Sequence, residues 1–434
     1  MLTQADNDVL TQTGPGTPMG DLMRCYWQPI LLTSELGEPD GAPIRVRHLS
    51  ENLIAWRNTD GSVGLMQNAC PHRGASMFFG RNEENGLRCV YHGWKFDTEG
   101  VCTDMPNEPA ESNFKHKIKA TAYPCVERGD LIWAYMGTEA TPPALPDLIW
   151  NMTPENPPFI WKHVRECNWM QALEGDIDTS HLNFLHSRLN SEEQRTPRGP
   201  RSERPGAVAM AKYNQDPHVR LEVVDTEYGI MYAGRRAAEA DTYYWRMSQF
   251  MFPFWTMPTG GAVEVGGKAW LPIDDENCMV LEFRWDPEGP STPEQLEQMK
   301  QIRNPWGYLP DSSDWIGRWR VKANKSNDFL LDHELQRTTL YCGILSNPLQ
   351  DGGVQTSMGA IYDRTKEHVG TTDAAIIRVR RRLIDAARAL RQQGAQPPVV
   401  NKPEAYRVRN HWAILPKDQN WIESTRELVR DFSK

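Results

Sequence analysis

Cys70-Pro71-His72-Arg73-Gly74 and Cys89-Val90-Tyr91-His92-Gly93-Trp94 decide how this chain is read. Each half offers one thiolate and one imidazole at the spacing of a hairpin loop, and 16 residues separate His72 from Cys89. Structural zinc sites usually pair Cys with Cys and His with His; here the types alternate. Alternation suits a two-iron, two-sulfide cluster in which thiolates hold one iron and imidazoles the other. Imidazoles leave such a cluster less negative than four thiolates would, so it accepts an electron more readily. Gly74 and Gly93 close the two halves, where the loops must fold tightly around the sulfides. A structural zinc is the competing reading.

The surroundings predict a small β domain. Ile44–His48, Leu53–Arg57, Val63–Gln67, 86–90 and Leu131–Tyr135 are short, β-branched or aromatic, and bounded by Gly, Asn, Asp or Pro. Before them lies a turn-rich lead-in, Gly14-Pro-Gly-Thr-Pro-Met-Gly20, and after them a Pro-rich stretch, 138–158, that reads as a linker. Beyond a long polar loop at 188–206, suited to a lid or channel wall, further strands are expected at 219–224, 231–233, 243–252, 261–270 and 279–285. Ile376, Val379, Leu383, Ala387 and Leu390 then form the apolar stripe of a closing helix, 371–393. Its arginines at 378, 380, 381, 382, 388 and 391 sit mostly off that stripe and read as a solvated face. The fold class is α+β: an N-terminal all-β domain, then an antiparallel sheet with a long helix last. The expected division is a lead-in at 1–24 packed on the second domain, a cluster domain at 25–140 and a larger domain at 141–434.

A second constellation lies at Asn168–His186, a run that otherwise reads as helix. Glu174, Asp178 and His181 share one narrow helical stripe, whereas His186 falls about 140° away on a regular helix. The helix must end, bend or bulge for both imidazoles to reach one ion. Two imidazoles and a carboxylate with open positions are the ligand set of a non-haem Fe(II) site. Asp178 is placed to hold the second ring nitrogen of His181. The plain alternative is two polar residues on an amphipathic helix.

The chain has 434 residues, 39% of them hydrophobic, with 48 basic against 57 acidic side chains and a net charge of −9. That balance excludes a broad attraction for nucleic acid or anionic membranes. No apolar run approaches the about 20 residues of a bilayer span, and the N-terminus shows no secretory pattern, so a soluble, cytoplasmic protein is expected. Eight cysteines in such a chain point to metal rather than to a disulfide framework.

Together, Cys70-x-His72, Cys89-x-x-His92-Gly-Trp and Glu174-x3-Asp178-x2-His181-x4-His186 resemble the oxygenase (α) component of Rieske non-haem iron ring-hydroxylating oxygenases, over essentially the whole chain. The flanks Gly14–Gly20, Asp104-Met-Pro-Asn-Glu-Pro109 and Ser357–His368 resemble the phthalate and chlorobenzoate dioxygenase branch. The resemblance implies a helix-grip (START-like) catalytic domain, a 2Fe–2S Rieske cluster on Cys70, His72, Cys89 and His92, and a mononuclear Fe(II) on His181, His186 and a late Asp. Asp351 and Asp363 are the candidates for that Asp. Asp351 is preferred because it precedes the Met-Gly segment and Gly352-Gly353 leaves it room, although Thr356 stands where many relatives carry Glu or Gln. The resemblance further implies ring dihydroxylation of an aromatic carboxylate, a phthalate isomer or halobenzoate, by O2 to a cis-dihydrodiol. Electrons would come from an NAD(P)H-dependent reductase carrying flavin and 2Fe–2S. It also implies head-to-tail trimers, single or stacked, in which Asp178 bridges one subunit's cluster histidine to its neighbour's iron histidine.

A carboxylated substrate needs a cation in an apolar pocket, and Arg246, within Tyr243-Tyr-Trp-Arg-Met-Ser-Gln249, is the first candidate. A solvent-facing or acid-paired arginine is its alternative. Arg204 is the second candidate, with Thr179 and Ser180 as hydroxyl donors. Two competing functions stay open: a monooxygenase or O-demethylase of an aromatic acid, and a Rieske electron carrier or zinc-stabilised binding protein without catalytic iron. The second metal motif, with some 250 residues around it, argues against a carrier.

Overall fold

The computed structural model describes residues 1–197, 199, 201–260 and 265–430. Ile44–His48, Glu51–Arg57 and Val63–Gln67 form one antiparallel meander, and Leu131–Tyr135 pairs with Trp27–Leu32 on one side and Cys125–Arg128 on the other to close the N-terminal unit. A separate small sheet, Arg81–Asn82, Leu87–Arg88, Lys95–Phe96 and Cys102–Asp104, carries the second Cys/His loop. Short strands suffice there because Trp56, Met77, Leu87, Trp94 and Phe96 are buried in a core of their own.

The second unit is an eight-stranded antiparallel sheet. Its order is Phe159–Arg165, Cys278–Trp285, Val265–Pro272, Trp255–Met257, Thr242–Met251, Gly229–Ala237 and Arg220–Asp225, with His411–Pro416 also pairing Thr242–Met251. Three of these strands, Phe159–Arg165, Trp255–Met257 and His411–Pro416, were not expected, and the last follows the closing helix instead of preceding it. The expected strand at 261–270 is observed as Val265–Pro272, its first four positions lying outside the described residues.

The closing helix, Ala374–Gln393, presses Ile376, Val379, Leu383 and Ala387 into the main core. Arg380 corrects the reading of a solvated arginine face: it is buried and pairs with Glu174 at 2.6 Å and with Glu367. It occupies the stripe position one turn after Ile376, so helical geometry sends it inward. The lead-in helices Gln4–Thr11 and Pro18–Arg24 pack on this helix, and Asp6 meets Arg388 at 2.6 Å.

The 138–158 stretch is more than a linker. Trp150 is buried against Trp255 (6.0 Å between ring centroids) and Phe283 (4.6 Å), making one core continuous from the first unit to the second. Glu35 adds a polar joint across the same boundary, accepting from Trp319 Nε1 at 2.7 Å and pairing with Lys162 and Arg318. Among the described residues no helix is long and apolar enough to cross a membrane.

Candidate metal centres

The two Cys/His loops are built alike. Cys70 N–H donates to Ala75 O (2.8 Å) and Gly74 N–H to Cys70 O (2.9 Å); Cys89 N–H donates to Trp94 O (2.8 Å) and Gly93 N–H to Cys89 O (2.9 Å). Both turns need a left-handed residue, and the glycines supply it with φ of 75° and 81°. Cys70 and Cys89 are buried, and the rings of His72 and His92 meet edge to face at 4.4 Å. Trp94 stacks on His72, also at 4.4 Å, and fixes its plane. Cys89 is held down to about 6 by the hydrogen bond from the Cys70 thiol, and then by the backbone N–H groups of Tyr91 and His92. Such N–H groups aimed at a sulfur stabilise a thiolate. His72 Nδ1 is buried with no hydrogen-bond partner among the described residues, a lone nitrogen that a cluster iron would complete. Two thiolates, two imidazoles and this orphaned atom fit a Rieske cluster.

The helix does end, as two imidazoles on one ion require, but it stops before His181. Asn168 caps an α-helix over Trp169–Ile177, accepting from Met170 N–H at 3.0 Å, and the helix ends at Asp178 in extended conformation. The Asp178 side chain causes the stop. Its Oδ1 accepts from both the N–H and the hydroxyl of Ser180 at 2.7 Å, a local turn that competes with the next helical bond. His181 then opens a single 3-10 turn, and His186 follows in the returning loop. Glu174, one turn earlier, points away from the histidines and pairs with Arg364 and Arg380.

This geometry brings His181 Nε2 within 3.2 Å of His186 Nε2, and Asp351 Oδ1 within 3.2 Å of His186 and 3.8 Å of His181. The three residues form a group able to hold a metal ion. Asp178 Oδ2 lies 3.3 Å from His181 Nδ1, and Gln350 Oε1 lies 2.6 Å from His186 Nδ1. Burial alone would raise the Asp178 carboxyl; hydrogen bonds with His181 and Ser180 overcome this and hold it below the usual range. With each Nδ1 donating outward, both Nε2 atoms present lone pairs toward Asp351. Three converging acceptors with no proton between them repel one another unless a cation sits among them. Two imidazoles and one carboxylate, with open positions, suit Fe(II).

Asp351 comes from the helix Asn347–Ser357, pinned to Trp169–Ile177 by Gln171 Nε2 donating to Gln355 O (3.0 Å) and Gln355 Nε2 donating to Ala172 O (3.3 Å). A Cβ on Gly175 would lie 2.2 Å from Gln355 Nε2, so the glycine leaves the space that this amide fills. Gln355 bridges the helices, whereas Thr356 bonds back to Gly352 O at 2.7 Å within its own helix. Asp363 is remote from the group: it binds Thr365 and pairs with Lys366 at 3.0 Å.

Arg246 is buried in the strand Thr242–Met251. It donates to Thr259 O, while its Nε and Nη1 have no partner among the described residues. Burial pushes its guanidinium below the usual arginine range. Arg204 corrects an expectation, since Asp286 and Glu288, each at 2.7 Å, already neutralise it. Ser180 is committed to Asp178, and Thr179 is buried with its hydroxyl unpartnered among the described residues. Sequence reasoning missed Gln350, and also Arg236, which is buried on the neighbouring strand and donates to Thr179 O (3.0 Å) and Asn183 Oδ1 (3.1 Å). Alternation along Gly229–Ala237 could have marked Arg236 as facing inward; nothing in the sequence marks Gln350 except its place beside Asp351.

A family model described as Rieske [2Fe-2S] domain matches residues 26–124, and one described as LigXa C-terminal domain like matches residues 134–431. The chain is 40% identical to the 3-chlorobenzoate-3,4-dioxygenase oxygenase subunit of Comamonas testosteroni, over 99% of both chains. It is 35% identical to the phthalate 4,5-dioxygenase oxygenase subunit of Pseudomonas putida, over 99% of this chain and 96% of that one. The fold matches the terminal oxygenase of carbazole 1,9a-dioxygenase from Nocardioides aromaticivorans IC177 with a TM-score of 0.56 at 16% identity, covering 89% of this chain and 98% of the other. An alternating Cys/His loop pair beside a two-histidine, one-carboxylate group, matched from end to end by such relatives, has one meaning: the chain belongs to the Rieske non-haem iron oxygenases, as an oxygenase α component with a LigXa-like catalytic domain.

Proposed function

We propose that this oxygenase dihydroxylates an aromatic carboxylate, a phthalate isomer or a halobenzoate, to a cis-dihydrodiol. Arg246 carries the reading. A buried guanidinium with two nitrogens unpartnered among the described residues is costly, and an entering carboxylate offsets that cost with a planar, two-point contact. Its strand neighbour Arg236 reaches the Thr179 carbonyl, two residues from His181, so the arginine face borders the metal group. The similarity to chlorobenzoate and phthalate dioxygenases supports the same substrate class.

Cys70, His72, Cys89 and His92 would hold the Rieske cluster, and His181, His186 and Asp351 the mononuclear iron. When bound, these groups supply single electrons and dioxygen activation. The chain's own residues do the rest: Arg246 orients the ring through its carboxylate, Thr179 offers a hydroxyl, and Asp178 and Gln350 keep both Nε2 atoms unprotonated. The domain division at 25–140 and 141–434, with the lead-in on the latter, follows the same assignment. A partner reductase with flavin and 2Fe–2S is the proposed electron source. The assembly is proposed as head-to-tail trimers, single or stacked, in which Asp178, partly exposed at the group's edge, faces the neighbour's cluster histidines.

The test is substrate-dependent oxygen uptake with a surrogate reductase across benzoates, phthalate isomers and their uncharged analogues, followed by 18O counting in the product. Carboxylate-dependent uptake with both atoms retained is expected. Retention of one atom would establish a monooxygenase, and equal uptake with uncharged rings would remove Arg246 from the pocket.

A further inference from the structure

We infer that Gln350 is the positioning residue of His186 and makes the two iron-binding imidazoles unequal donors. The buried Gln350 side chain has both ends engaged. Its Nε2 donates to Ile344 O at 2.7 Å, which leaves Oε1 to face His186 Nδ1 at 2.6 Å. The opposite amide orientation would set Oε1 against the Ile344 carbonyl, two acceptors at 2.7 Å, so the network admits one assignment. His186 therefore carries its proton on Nδ1 and presents Nε2 inward.

Residues 350 and 351 grip one imidazole from two sides. Gln350 Oε1 takes Nδ1, and Asp351 Oδ1 lies 3.2 Å from Nε2. One turn of the helix Asn347–Ser357 thus supplies both the carboxylate of the triad and the orientation of the adjacent histidine. His181 is backed differently, by the carboxylate of Asp178 at 3.3 Å. An ionised partner draws the Nδ1 proton more strongly than a neutral amide does and leaves a more electron-rich ring. His181 is the stronger donor, and His186 the weaker.

The test needs no substrate, so its failure is separable from failure of the carboxylate reading. Full-length protein carrying its Rieske cluster is stripped of mononuclear metal with a chelator and titrated with Co(II), whose visible bands report ligand strength. Gln350→Met keeps length and packing but accepts nothing from Nδ1; Co(II) affinity is expected to fall about 10- to 100-fold. Gln350→Glu keeps an acceptor toward His186 and loses the amide donor to Ile344 O. Its affinity is expected within about threefold of the parent or tighter, with shifted bands as the two imidazoles become alike. Parent-like affinity in Gln350→Met overturns the proposal. So does an equal loss in both variants, which would assign the effect to the Ile344 contact alone.

Discussion

Asp178 bonds in two directions at once: Oδ1 accepts the Ser180 N–H at 2.7 Å, and Oδ2 lies 3.3 Å from His181 Nδ1. One side chain thereby ends the helix and orients the first imidazole beyond it. Removing its charge while keeping its shape is the natural probe. Asp178→Asn should retain the Rieske absorption and close to three irons per chain, yet lose turnover at least about 100-fold. Iron content, the visible spectrum and single-turnover oxidation of the reduced cluster check this, and an active variant would remove Asp178 from the relay.

Asp351 and Asp363 make a matched pair of substitutions. Asp351→Ala should bring iron from about three to about two per chain, because two imidazoles alone hold Fe(II) poorly. Asp363→Ala should leave iron content and thermal midpoint unchanged, since its pairing with Lys366 is at the surface.

Arg246→Ala should raise KM for a carboxylated substrate at least about tenfold, consistent with loss of a charge-assisted contact. Arg246→Lys should fall between, because an ammonium replaces a planar fork with a point charge. Initial-rate kinetics decide it, and an unchanged KM would place the arginine outside the pocket.

Acid stability should follow Glu282. Burial raises its carboxyl, but Arg303, Arg284 and Lys268 overcome this and hold it at about 2. Its folded value is thus below the ordinary 4.5. The contribution is complete above that ordinary value and is lost as pH falls toward the folded one. Thermal midpoints should drop between about pH 4.5 and 2. Glu282→Gln should cost roughly 1–3 kcal/mol near neutrality, by leaving the half-buried Arg284 and Arg303 without their carboxylate, and should flatten the acid limb.

Much of the cluster site was legible because it is local. A Cys, a His and a closing glycine within five residues specify a loop almost without help from the rest of the chain, and the second loop repeats it. The pair His181 and His186 was legible for the same reason, although the helix end that unites them depends on the Asp178–Ser180 turn rather than on a kink. Arg380 was misread because periodicity marks which face a residue occupies but not whether acids wait there; Glu174 lies 206 positions away. Arg246 ranked above Arg204 in the sequence only by its aromatic neighbours; burial and the acids at 286 and 288 are what separate them.

The sequence by itself determined the ligand types, the alternating order that selects a Rieske cluster, and the antiparallel α+β plan. All of these are set by residues close together in the chain or by hydrophobic period. Tertiary structure alone decided which aspartate meets the two histidines, that Gln350 meets His186 across 164 positions, and which arginine lacks an acid partner among the described residues. Those outcomes depend on how two helices and a sheet pack, and on the burial that makes an unpaired charge costly, neither of which is written in any short stretch of residues.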